Sequence, residues 1–165
     1  MNRGMRLFAC LAWLGCAFEL GAAETPPMVS LKRLSLETAL KIAQAAMAEC
    51  RGKGIQIGVT LVDRDGVVQA QLRDSIAAPI TLSISQQKAF TAANFNAATS
   101  ALKARADTPV GRVPGLVMSP GGLPIQVGGQ LLGAVGVSGA PAGETDEECA
   151  RAGIKAVIED LEMAQ

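Results

Sequence analysis

An α+β fold, with a largely antiparallel five-stranded sheet flanked by N- and C-terminal helices and by central helices, is what this sequence predicts. Three observations carry that reading: apolar residues at helical spacing near both ends of the chain, short runs alternating apolar with polar residues, and glycine turns tight enough to join neighbouring strands as hairpins.

Residues 24–33, with Pro26 and Pro27, read as a loose leader. Ser35 then offers an N-cap. Leu36, Ala39, Leu40, Ala43, Met47 and Cys50 recur at helical spacing opposite Lys41, Gln44 and Glu49, which predicts an amphipathic helix ending near Gly52 with Cys50 on its buried face. Ile55, Ile57, Val59 and Leu61 alternate with Gln56, Gly58 and Thr60, a half-buried strand running into the turn Asp63-Arg64-Asp65-Gly66. Val68, Ala70 and Leu72 supply the return strand. After a turn around Ala78-Pro79, Ser83 to Asn94 and Ala97 to Arg105 read as two helical pieces, broken near Asn94-Phe95-Asn96 and rich enough in alanine to pack closely. Asp107 to Gly115 is a loop. Leu116-Val117-Met118, Pro124 to Val127 and Leu131 to Ser138 read as three short strands, separated by Gly121-Gly122 and by a hairpin turn at Gly128-Gly129. Asp146-Glu147-Glu148 marks the start of a last helix, whose buried stripe is Ile154, Val157, Ile158 and Leu161.

Ahead of this domain, Met1 to about Ala23 reads as a cleavable export signal. Arg3 and Arg6 precede the apolar run Leu7 to Phe18, and small residues follow at Gly21-Ala22-Ala23. Two alternatives stay open. One is a lipoprotein, through Leu14-Gly15-Cys16 with Trp13 where a small aliphatic residue is preferred; the other is an uncleaved anchor, although the run is too short to span a bilayer. The expected location is the periplasm or the exterior, with no membrane-spanning segment left after cleavage. Taking 23 residues from 165 leaves 142, enough for the one domain read over residues 34–165. Removing Arg3, Arg6 and Glu19 from 15 basic and 15 acidic residues leaves 13 and 14, so no field exists to attract nucleic acid.

The reactive inventory is short. There is no His and no Tyr, the single Trp lies in the export segment, and Phe90 and Phe95 are the only aromatics after it. Ser-His-Asp and Cys-His catalysis, His-ligated zinc, and His or Tyr ligation of haem are therefore excluded. Cys50 and Cys149 are the thiols that remain after cleavage. In an oxidising compartment they invite a disulfide, the alternative being two buried free thiols. If the first and last helices lie side by side and antiparallel on one sheet face, the end of one, at Cys50, comes near the start of the other, at Cys149.

An ordered set of short motifs runs through the chain: Val62-Asp63-Arg64-Asp65-Gly66, Leu72-Arg73-Asp74, Lys88-Ala89-Phe90-Thr91-Ala92 followed by Thr99, Gly121-Gly122-Leu123-Pro124-Ile125, Gly136-Val137-Ser138-Gly139, and Asp146 to Gly153. Together they resemble the GlcG/HbpS-like haem-binding family, which takes in the C-terminal domain of PduO-type proteins, over Leu34 to about Ile158. The resemblance implies a GlcG/HbpS-like sandwich that assembles into symmetrical homo-oligomers and binds or sequesters haem, in some members linked to haem breakdown. The chain departs from its relatives at Ser75 to Ile80, where they often carry a glycine-containing run and sometimes a His. By resemblance, Thr91 and Thr99 become candidate hydroxyl ligands of a haem iron. Met28, Met47, Met118 and Met163 offer thioethers.

The residues themselves suggest further site candidates. Arg73, at a strand end, and Lys88, inside an otherwise apolar helix, are cations suited to a carboxylate such as a haem propionate or a small organic acid. The alternative is that Arg73 pairs with Asp74 or Asp63 and Lys88 reaches solvent. Gly121 and Gly122 beside Pro124 let a ligand approach the backbone, or simply make a sharp connection. Ser138, between Gly136 and Gly139, has no His to activate it. Three functions follow: a haem-binding protein; an enzyme or binder for a small carboxylated metabolite, with Arg73 and Lys88 orienting the anion and Asp63 or Asp74 as base; or a structural oligomerisation module.

Overall fold

The computed structural model describes residues 26–164, and the export signal read over residues 1–23 lies outside them. Residues 26–30 fall in a unit separate from the compact one that begins at Leu31. That compact unit runs α1 (Leu36–Gly52), β1 (Gly58–Asp63), β2 (Val68–Arg73), α2 (Ile80–Phe95), two 3₁₀ turns (Thr99–Arg105 and Pro109–Arg112), β3 (Gly122–Val127), β4 (Gln130–Ser138), α3 (Gly143–Lys155) and α4 (Ile158–Met163).

Local chemistry explains most of these boundaries. Ser35 caps α1 by accepting the Thr38 N–H at 3.2 Å, with Glu37 in the first turn and Arg51 in the last, complementing the helix dipole. Ala39, Ile42, Ala43, Ala46, Met47 and Cys50 form its buried stripe. Between β1 and β2, Asp63 Oδ1 accepts the N–H groups of Asp65 and Val67 at 2.9 and 3.0 Å, while Gly66 takes φ 84°. Arg33 clasps both Asp63 and Asp65. At the far end of the hairpin, buried Asp74 accepts the Ile57 N–H at 3.0 Å and Arg51 Nε at 2.7 Å, tying α1 to the start of β1.

The sheet has four strands in the order β2-β1-β4-β3, all neighbours antiparallel. The expected fifth strand, Leu116-Val117-Met118, does not form. Its Val117 N–H is donated to the Thr91 hydroxyl at 2.9 Å, so the segment lies on α2 instead of joining a ladder. Two other expectations are corrected. The second helical piece after α2 is 3₁₀, following the left-handed Asn96 (φ 47°), and the last helix divides at Val157, whose φ of −133° is not helical. Gly128 and Gly129, at φ 56° and 76°, make the β3–β4 hairpin turn as expected.

Strand alternation gives the sheet two unlike faces. Val59, Leu61, Leu123, Ile125, Val135 and Val137 join α1 and α3 in one aliphatic core, which also holds Cys50 and Cys149. Those cysteines form a disulfide with Cα atoms 5.6 Å apart, closing a separation of 99 residues. In the chain-entropy model a loop of that size is worth about 4–5 kcal/mol. The other face offers small residues to α2: Val62 and Ala134 pack with Ala89, Ala92 and Ala93, and a Cβ on Gly136 would fall 2.0 Å from the Ser85 carbonyl oxygen. No described helix is long and apolar enough to cross a membrane.

Candidate functional site

Four of the six ligand-site residues read from the sequence meet on the inner face of α2. Lys88, 3% exposed, donates from Nζ to Asp146 Oδ2 at 2.8 Å and to the Val137 carbonyl at 3.0 Å. Asp146 is equally buried and accepts the Ala140 N–H on its other oxygen at 2.9 Å. Loss of solvation pushes its carboxyl above the ordinary aspartate value, against the Lys88 ammonium and the Ala140 N–H, which both pull it down. A Cβ on Gly121 would sit 2.6 Å from Lys88 Nζ, and one on Gly122 2.4 Å from the Lys88 carbonyl oxygen. Thr99 is fully buried and accepts the Gly122 N–H at 2.9 Å. What approaches these glycines is therefore the chain itself, and Lys88 does not reach solvent: its charge is held by a carboxylate on α3.

Thr91 and Arg73 lie elsewhere. Thr91 is fully buried, donating to the Gln87 carbonyl at 2.7 Å while accepting from Val117. Arg73 donates to the carbonyls of Asp74, at 3.2 Å, and Ala77, closing the turn before α2. It pairs with neither Asp74 nor Asp63, since those carboxylates engage Arg51 and Arg33. Met47 and Met118 are buried, whereas Met28 and Met163 are exposed. No metal-ligating cluster of His, Cys, Asp or Glu exists among the described residues.

Space is found on the outer face of α2. Ser83, Gln86, Gln87 and Phe90 project from the helix at intervals that share one side, and Pro114 and Gly115 face them across a cleft of about 290 Å³. Phe90 rests over the β1–β2 turn, where a Cβ on Gly66 would come within 2.7 Å of its ring, so Gly66 serves both the turn and the ring's position. No charged residue lines this cleft. It offers an aromatic face, a proline ring, two carboxamides and a hydroxyl, a set that holds a flat, weakly polar molecule and provides no general base or nucleophile of perturbed acidity. A smaller cleft of about 190 Å³ lies between Lys32, Arg33, Leu132, Leu161 and Ala164, with Arg33 already paired.

Sequence reasoning missed both the partner of Lys88 and this outer cleft. A lysine inside an alanine-rich helix demands a buried carboxylate, and Asp146 next to the small-residue loop was available to supply it. The cleft had a fainter trace: Phe90 recurring with Ser83 and Gln87 on a polar stripe of α2.

The family model described as "Haem degrading protein HbpS-like" matches residues 34–155. Protein GlcG of Escherichia coli K12 is 34% identical over 108 residues, covering 64% of this chain and 81% of GlcG. Among solved structures, a double mutant of Streptomyces reticuli HbpS has a TM-score of 0.76 at 35% identity, covering 83% of this chain and 95% of its own. PduOC, solved as a haem complex, shares the fold with a TM-score of 0.70 at 24% identity, covering 75% and 94%. With the motif order, the four-stranded sheet and these likenesses in agreement, the chain belongs to the HbpS-like family.

Proposed function

We propose that this chain is an exported haem-binding protein that sequesters the macrocycle loosely, as a homo-oligomer, at the open cleft on the outer face of α2. The observation that carries the reading is the cleft's chemistry: Phe90 and Pro114 present flat apolar surface to a ring, and Gln86, Gln87 and Ser83 border it with neutral polar groups. Its family supports the choice of ligand, since the matching family model is described by haem and PduOC was solved with it. At about 290 Å³ the cleft sits at the lower end of the range of about 300–1,000 Å³ usual for ligand sites, so it seats one edge of a macrocycle. A second copy covering the remainder would account for assembly.

The fit is to the ring and not to its metal. The six lining residues carry no imidazole, phenolate, thiolate or thioether, the side chains that ordinarily hold a haem iron. When bound, haem brings an iron centre; this chain's own residues bind and orient. Export agrees with the buried Cys50–Cys149 disulfide, which persists in oxidising compartments. The reading as a small-carboxylate enzyme loses its support, because the cations it needs, Lys88 and Arg73, are engaged by Asp146 and by backbone carbonyls. Titration of haemin into the purified protein tests the proposal. A shifted Soret band is expected with half-saturation at roughly tens of micromolar, and a spectrum unchanged from free haemin over that range removes it.

A further inference from the structure

Among the described residues, the conventional haem-iron donors are absent, are occupied within the fold, or, like the exposed thioethers of Met28 and Met163, do not line the outer cleft. His and Tyr do not occur in the sequence. Of the described thiols, Cys50 and Cys149 are joined and fully buried. Met47 lies on the buried stripe of α1, in the aliphatic core, and Met118 is buried in the connection before β3. The Thr91 and Thr99 hydroxyls are fully buried, each already bonded to a backbone N–H. Lys88 is paired with Asp146. The outer cleft adds only neutral oxygens, from Ser83, Gln86 and Gln87, which compete poorly with water for a ferric ion.

What remains to hold a tetrapyrrole there is apolar burial and ring contact at Phe90 and Pro114, and both depend on the macrocycle rather than on the metal at its centre. We infer that the outer cleft recognises tetrapyrroles by the face of the ring, so that it takes iron-free protoporphyrin as readily as haem. This inference rests on the reading of that cleft as the haem site. It sets the chain apart from haem proteins whose affinity is built on an axial side chain, and makes it a carrier for a class of flat macrocycles.

The test compares haemin with protoporphyrin IX on the purified, oxidised protein, using Soret absorbance for the first and intrinsic porphyrin fluorescence for the second. Dissociation constants within about threefold of each other are expected. Phe90→Ala, which removes the ring, and Ser83→Trp, which fills the cleft from an exposed helix position, should each weaken both ligands together by about fivefold or more. If haemin binds and protoporphyrin IX binds at least about tenfold more weakly, iron ligation contributes and the inference falls while haem binding stands. If neither ligand binds, the proposed function falls with it. Equal binding that ignores both substitutions overturns the assignment to this cleft. Circular dichroism and thermal melting of the two variants separate lost binding from lost folding.

Discussion

The two faces of α2 are made from neighbouring residues and behave as opposites. On the inner face, Ser85, Lys88, Ala89 and Ala92 press against the sheet so closely that glycines are required opposite them, at Gly122 and Gly136. On the outer face, Ser83, Gln86, Gln87 and Phe90 border open space. The inner face carries Lys88 and packs it against the glycine pair and near the threonine that look like a binding site on paper. Its chemistry is directed inward: Lys88 joins α2 to α3 and to the end of β4, which makes it a structural bolt. The outer face has no charged group and no dense motif, and it has the room. Residue types suggestive of chemistry thus mark where the chain binds itself, while the accessible surface is built from ordinary side chains.

Substitutions should separate these faces by the size of their effects. Lys88→Met leaves Asp146 buried without a cation, and a loss of about 3–5 kcal/mol is expected in urea unfolding; Lys88→Met with Asp146→Leu should recover most of it, because the uncompensated charge is gone. Replacing both Cys50 and Cys149 with Ala frees α1 from α3, the helix that brings Asp146 to Lys88, and should cost about 2–5 kcal/mol by the same measurement. Gly136→Ala forces a methyl against the Ser85 carbonyl and should cost about 1–3 kcal/mol or more, since backbone on both sides must move.

The pH dependence follows from Asp146. Its carboxyl is raised in the folded state, so its contribution to stability is fully present below the unfolded value near 3.8 and is lost as pH rises through the folded value. Relative to Asp146→Asn, the parent chain should therefore gain stability as pH falls from neutral toward 4, measured by urea midpoints at several pH values. The smallest effect belongs to the outer face: Gln86→Ala, at an exposed helix position, should change stability by no more than about 0.5 kcal/mol in the same assay. An outer-face substitution as damaging as Gly136→Ala would dissolve the distinction between the faces.

Much of the fold was legible residue by residue. The apolar stripe from Ala39 to Cys50, the cap at Ser35, the Asp63 to Gly66 turn and the Gly128-Gly129 turn all act over a few residues, where spacing and backbone preference decide. The disulfide was legible too, because two thiols at opposite ends of antiparallel helices leave few arrangements. The fifth strand was not: Leu116 to Met118 has strand-like composition, and the Thr91 hydroxyl 26 residues away claims its backbone N–H. The division at Val157 likewise reflects packing, with that side chain buried while the helical stripe around it continues.

For the site, composition alone excluded imidazole and phenol chemistry, since a residue type that is absent can act nowhere in the fold. Local context marked Lys88, Gly121 and Gly122 as special and the family resemblance added Thr99, and these four do gather in one place. Tertiary structure alone decided what they gather around. Whether a glycine admits a ligand or a neighbouring helix, and whether a buried lysine meets a substrate or Asp146, depends on groups brought together from 23 to 58 residues apart. Spacing within a segment records local periodicity; partners across such separations are set by how the sheet's small-residue face receives α2.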